Sequence, residues 1–149
     1  MTHEEKGLRA YRVQVRREDE AHATASTRDH ELRLGVRRGD PTAGFNAVET
    51  LLAALGTCII TNVNSLAEKM HLQVDGVTVD LAGYRREDPP ALVRIDVTLT
   101  LESAEPEEKL RRLKELAIQY GTVTNTLAAG VGMHFMLMLR RPEENETAG

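Results

Sequence analysis

The sequence predicts an α+β fold in which antiparallel sheets surround one long central helix. Three observations carry that expectation. Strand-like segments cluster in the chain instead of alternating regularly with helices. A proline-free stretch from Ala47 to Met70 repeats apolar residues at spacings of three and four. Between Val93 and Leu101, apolar and polar residues alternate without a break, as a strand with one wet face requires.

Taken in order, Tyr11, Val13 and Val15 alternate with Arg12, Gln14 and Arg16, predicting a first strand over about residues 9–17. The segment Ala21 to Thr27 and the alternating Leu32, Leu34 and Val36 supply a second and a third strand, joined by short polar turns as an antiparallel meander. Gly39, Asp40, Pro41 and Gly44 are loop residues, and Asn46 is the expected N-cap of the long helix. On that helix Leu51, Leu52, Leu55, Ile59, Val63, Leu66 and Met70 form the apolar stripe. Ala53, Ala54, Cys58 and Ile60 widen it, so the helix is expected to be covered on most sides. Val77, Val79 and Leu81 pair with Val93 to Leu101 as a hairpin around Arg85-Arg86-Glu87-Asp88-Pro89-Pro90. Pro106 then opens a helix whose inner stripe is Leu110, Leu113, Leu116 or Ala117, and Tyr120, with Gly121 as its stop. A short helix over Thr122 to Ala129 precedes a last strand, Val131 to Leu139. Both alternating sets of that strand are apolar: Val131, Met133, Phe135, Leu137 and Leu139 on one side, His134, Met136 and Met138 on the other. Such a strand is expected to be buried on both faces, the second cover coming from a partner subunit. One domain over residues 1–141 and a fraying tail over 142–149 complete the expectation.

Composition narrows function. The chain has 19 Lys+Arg against 23 Asp+Glu and a formal charge of -4, which disfavours nucleic acid as a partner. No uninterrupted apolar run reaches the roughly 20 residues of a membrane span, and the start MTHEEKGLRA lacks an apolar leader core, so a cytoplasmic protein is expected. The single cysteine, Cys58, excludes an intrachain disulfide. The five histidines show no ligand spacing, so no metal is expected, and the absence of a phosphate-binding glycine loop gives no cofactor.

The run Val48-Glu49-Thr50-Leu51-Leu52-Ala53-Ala54-Leu55-Gly56-Thr57-Cys58, on a long helix, resembles the signature of the OsmC/Ohr family, in which an acid, an LLAALG-type run and a cysteine follow in this order. The resemblance extends over nearly the whole chain. It implies an OsmC-like fold and an intertwined homodimer with sites at the subunit interface, and, from the best-known members, reduction of organic hydroperoxides by two cysteines. The chain departs from that pattern in several places. Where the second motif has Cys-Pro-Val, this sequence has Gly121-Thr122-Val123. The arginine that steadies the thiolate in active members is matched by His22. The acid is Glu49, nine before Cys58, whereas the Ohr type has it ten before, at the place of Val48. Ala47 stands where a proline usually opens the motif.

The candidate site residues are therefore Cys58, Glu49 and His22. A thiolate at Cys58 can attack the distal oxygen of a peroxide and become a sulfenic acid, whereas the alternative is a small buried core cysteine. Nine residues at about 100° each set Glu49 half a turn from Cys58, so its acid serves either to orient a cation or simply to favour the first helical turn. His22 could supply that cation, or could be the wet face of a strand. Two functions follow. One is a one-cysteine, thiol-dependent organic hydroperoxide reductase with an external thiol resolving Cys58. The other is a non-catalytic dimer that binds an apolar small molecule at its interface.

Overall fold

The computed structural model describes residues 7–142; His3 and the tail from residue 143 onward lie outside them. The chain forms two compact units that meet in sequence between Thr50 and Leu51, so the first turn of the long helix belongs to the first unit and the rest to the second.

The first unit is the expected meander: β1 (Gln14–Arg17), β2 (His22–Thr27) and β3 (His30–Gly35), in that order across one antiparallel sheet. β1 is shorter than the alternation predicts. Tyr11 and Val13 lie before it and are exposed, as is Val15 within it, and the register with β2 begins only at Gln14, opposite Ser26. Gly35 closes the unit against the following loop. A Cβ there would stand 3.1 Å from Ala43, a close approach that the missing side chain permits.

The second unit contains most of α1 (Ala47–Lys69), the strands β4 (Gly76–Arg86), β5 (Ala91–Glu102) and β6 (Gly132–Arg140), and the helices α2 (Glu107–Gln119) and α3 (Thr122–Ala128). Its sheet has the order β4-β5-β6. β4 and β5 form the long antiparallel hairpin, whereas β6 runs parallel to β5. A parallel neighbour needs a crossover connection, and α2 with α3 supplies it.

The core is built from Leu55, Ile59, Val63 and Ala67 of α1, Ile95, Val97, Leu99 and Leu101 of β5, and Leu110, Leu113 and Ala117 of α2. The glycine of the LLAALG run has a packing reason. At Gly56 a Cβ would come 3.1 Å from Leu81, so the glycine lets α1 lie close against β4. By length and composition alone α1 could cross a membrane, but its Leu55, Ile59 and Val63 pack inside this core.

Two expectations about packing are corrected. α1 is not covered on most sides: within the chain its buried residues form one stripe, and Leu51 is exposed. Within the single chain β6 is covered on one face: Met133, Phe135, Leu137 and Leu139 pack on the core, whereas Met136 and Met138, 60% and 52% exposed, lie on the face for which a partner subunit is the expected cover. Tyr120 is not part of the α2 stripe. The helix ends at Gln119, and Tyr120, at its C-cap, is exposed.

Candidate functional site

Cys58 stands in the middle of α1, half-buried, between Leu55 and Ile59, which are both buried. One turn further on, Asn62 donates its side-chain amide to the carbonyl of Ala117 at 3.0 Å. That carbonyl is among the last four of α2, which have no partner within the helix. Asn125 satisfies a second of them, donating to the Gln119 carbonyl at 3.1 Å. Together these bonds fix the α2–α3 junction against the face of α1 that carries Cys58.

The residue at that junction is Gly121. It is buried and caps the start of α3 with φ -79° and ψ 120°, a conformation open to any residue, so the glycine is not needed for a left-handed turn. The expected role of Gly121 as a C-cap stop is thus replaced by a spatial one. A Cβ at Gly121 would lie 3.3 Å from the Cys58 sulfur and 2.6 Å from the Thr124 hydroxyl. The Thr124 side chain thus takes the space that a Cβ would need, and the Cys58 sulfur lies beside it.

Thr124 is only 2% exposed, and its Oγ1 has no hydrogen-bond partner. A threonine on a helix commonly returns its hydroxyl to the carbonyl four residues back, as Thr126 does here to Thr122 at 2.8 Å. Thr124 does not. A buried hydroxyl without a partner costs about 1–3 kcal/mol, which sets it apart from ordinary packing. Reading the sequence did not single out Thr124; its signal is the absence of a partner, which only the fold exposes.

Glu49 and His22 belong to the first unit, and both have local partners. Asn46 accepts a hydrogen bond from the Glu49 backbone N–H at 2.9 Å, and Glu49 accepts one from the Asn46 N–H at 3.0 Å. This reciprocal capping box confirms Asn46 as the N-cap. The His22 ring Nδ1 lies 3.0 Å from the Asp19 carboxylate, which also accepts the backbone N–H groups of Ala21 and His22. The bond from Ala21, aided by those from His22, holds the Asp19 carboxyl below its ordinary range. In the turn before α1, the Thr42 hydroxyl and backbone N–H lower Asp40 in the same way. Among the described residues, no group of three or more His, Cys, Asp or Glu side chains gathers to hold a metal ion.

The family described as OsmC-like protein matches residues 38–134, well over half the chain. The chain belongs to the OsmC-like protein family. No curated protein matches it in sequence. Solved structures do match in fold. The OsmC-like protein from Mycoplasma pneumoniae superposes with a TM-score of 0.82 at 17% identity, over 89% of this chain and 98% of that one. A hypothetical protein from Aquifex aeolicus VF5 gives 0.79 at 20% identity, over 90% and 98%. The organic hydroperoxide resistance protein OhrB of Bacillus subtilis gives 0.61 at 18% identity, over 85% and 96%. With the OsmC-like fold in place, the family's second-cysteine position, expected at Gly121 from the motif, borders the Cys58 sulfur.

Proposed function

We propose that this OsmC-like protein is a one-cysteine, thiol-dependent reductase of organic hydroperoxides, acting in the cytoplasm through Cys58. The observation that carries the reading is the closeness of Gly121 to Cys58. Cys58 is half-buried beside the place where a second cysteine would stand, a Cβ there lying 3.3 Å from its sulfur. The Cys58 thiolate attacks the distal peroxide oxygen. The O–O bond breaks, an S–O bond forms, sulfur loses two electrons, and the leaving alkoxide takes a proton to become an alcohol. One external thiol then condenses with the sulfenic acid, releasing water. A second thiol displaces the first as a disulfide and returns Cys58. Leu55, beside Cys58, and Leu51, one turn further toward the start of α1, favour an alkyl substituent over hydrogen peroxide.

The protein acts as a homodimer in this reading. The uncovered face of β6, with Met136 and Met138, is an apolar surface that a second copy would cover. Sedimentation giving only a monomer would remove that part of the proposal.

The test is intact-protein mass spectrometry after a brief exposure to cumene hydroperoxide with a sulfenic-acid trap. The native protein is expected to gain one adduct much faster than the denatured chain, and Cys58→Ser none. Equal rates in native and denatured protein would refute the reading. One observation favours the second function, a non-catalytic dimer holding an apolar small molecule: Glu49 and His22 are both engaged by neighbours in their own turns and not visibly reserved for chemistry. An apolar compound that copurifies with the protein, together with no turnover, would select it.

A further inference from the structure

We propose that Thr124 is the hydrogen-bond donor that steadies Cys58 once the thiol has lost its proton. This deepens, and rests on, the reading of Cys58 as a nucleophile. Cys58 stands about three turns into α1, too far along for the start of that helix to favour a negative charge on it, so a stabilising group has to come from another element. The α2–α3 junction brings one. From the point beside Gly121 where a Cβ would be built, the Thr124 hydroxyl is 2.6 Å away and the Cys58 sulfur 3.3 Å away, so the two side chains are neighbours.

The state of that hydroxyl separates it from the other helical threonines. Thr50, Thr57, Thr61 and Thr126 each donate theirs to the carbonyl four residues earlier, at 2.6 to 2.8 Å. Thr124 is buried and leaves its hydroxyl without a partner among the described residues, the Cys58 sulfur included. That is the expected state beside a neutral thiol, whose sulfur is a weak acceptor. A thiolate is a strong one. When Cys58 ionises, its proton passes to water and Thr124 keeps its own. A charge-assisted O–H···S bond then becomes available from a donor that gives up no other partner to make it. Because only the charged form gains this bond, it enlarges the fraction of Cys58 present as the attacking species at neutral pH.

The test uses the full chain as wild type, Thr124→Val and Thr124→Ser, and reads alkylation of Cys58 by iodoacetamide across a pH series, followed by intact-protein mass spectrometry. Iodoacetamide reacts with the thiolate, so its rate follows the ionised fraction. Thr124→Val is expected to slow alkylation about tenfold near pH 7 and to match wild type within about twofold near pH 10, where the thiol is ionised with or without the donor. Thr124→Ser, which keeps the hydroxyl, is expected to restore the rate near pH 7. Should Thr124→Val fold poorly, Thr124→Ala removes the hydroxyl without adding a methyl group and is read in the same way. Unchanged alkylation near pH 7 in the variant without the hydroxyl would overturn the proposal. So would an equal fall at every pH, which would assign Thr124 to packing around Cys58. Wild-type Cys58 that resists cumene hydroperoxide while the pH-dependent difference persists would overturn the peroxide reading alone and leave Thr124 as the donor.

Discussion

Two helix starts in this protein treat their polar groups in opposite ways. At the start of α1, Asn46 and Glu49 satisfy each other's backbone N–H groups, and Thr50 returns its hydroxyl to the Asn46 carbonyl at 2.6 Å. At the start of α3, Gly121 has no side chain with which to cap, and the Thr124 hydroxyl is buried without a partner. The first arrangement is closed and has the economy of a structural device. The second leaves one hydroxyl buried and unpaired beside the glycine that faces Cys58. The acid of the family signature thus belongs to the closed start, and the chemistry proposed for Cys58 lies beside the open one.

Substitutions can break or sharpen that contrast. The largest effect is expected from Gly121→Cys. With its Cβ 3.3 Å from the Cys58 sulfur, the new thiol is within reach of a disulfide once Thr124 gives way. Nonreducing mass spectrometry should show loss of two hydrogens and no free thiol, whereas an unbridged protein would mean that Gly121 does not stand beside Cys58. Gly121→Ala is expected to cost about 1–3 kcal/mol by crowding Thr124, read as a lower midpoint in urea, together with slower oxidation of Cys58. At the closed start, Asn46→Ala should cost about 1 kcal/mol through loss of the cap and leave the rate of Cys58 oxidation unchanged. A large change in that rate would return Glu49 and its partner to the chemistry.

The smallest effect concerns Asp19 and Asp40. Both carboxyls titrate below their ordinary range, Asp19 chiefly because of the Ala21 N–H and Asp40 chiefly because of the Thr42 hydroxyl. A carboxyl lowered in the folded state contributes stability that is complete above its unfolded value and is lost as the pH falls through the folded one. The first unit is therefore expected to loosen in acid, below the ordinary carboxylate range. Asp19→Asn and Asp40→Asn should flatten that dependence. Stability that rises toward acid would contradict the assignment.

Most of the fold was legible in the sequence because it rests on local periodicity. The limits of α1 follow from Asn46, the absence of proline and a spacing of three and four, and β5 follows from strict alternation. What was not legible is what depends on distant neighbours. The alternation from Tyr11 predicts a longer β1, but its pairing with β2 begins only at Gln14, opposite Ser26. The apolar second face of β6 predicts burial that the single chain does not supply. Gly121 looks like a helix stop by the rules of helix ends, yet its φ is open to any residue, and what a side chain there would meet is Thr124 and the Cys58 sulfur. Cys58 was readable from the motif. Thr124 was not, since nothing in a threonine three residues after a glycine announces a missing partner.

The parallel pairing of β5 with β6 also has a kinetic consequence. The β4–β5 hairpin can form from neighbouring residues, but β6 can join only after the whole α2–α3 crossover has been laid down. Gly121 lies within that crossover, 63 positions from Cys58 in sequence. During refolding, the reactivity proposed for Cys58 is therefore expected to appear after the hairpin signal and together with the last strand, so that the thiol would serve as a clock for the completion of the fold.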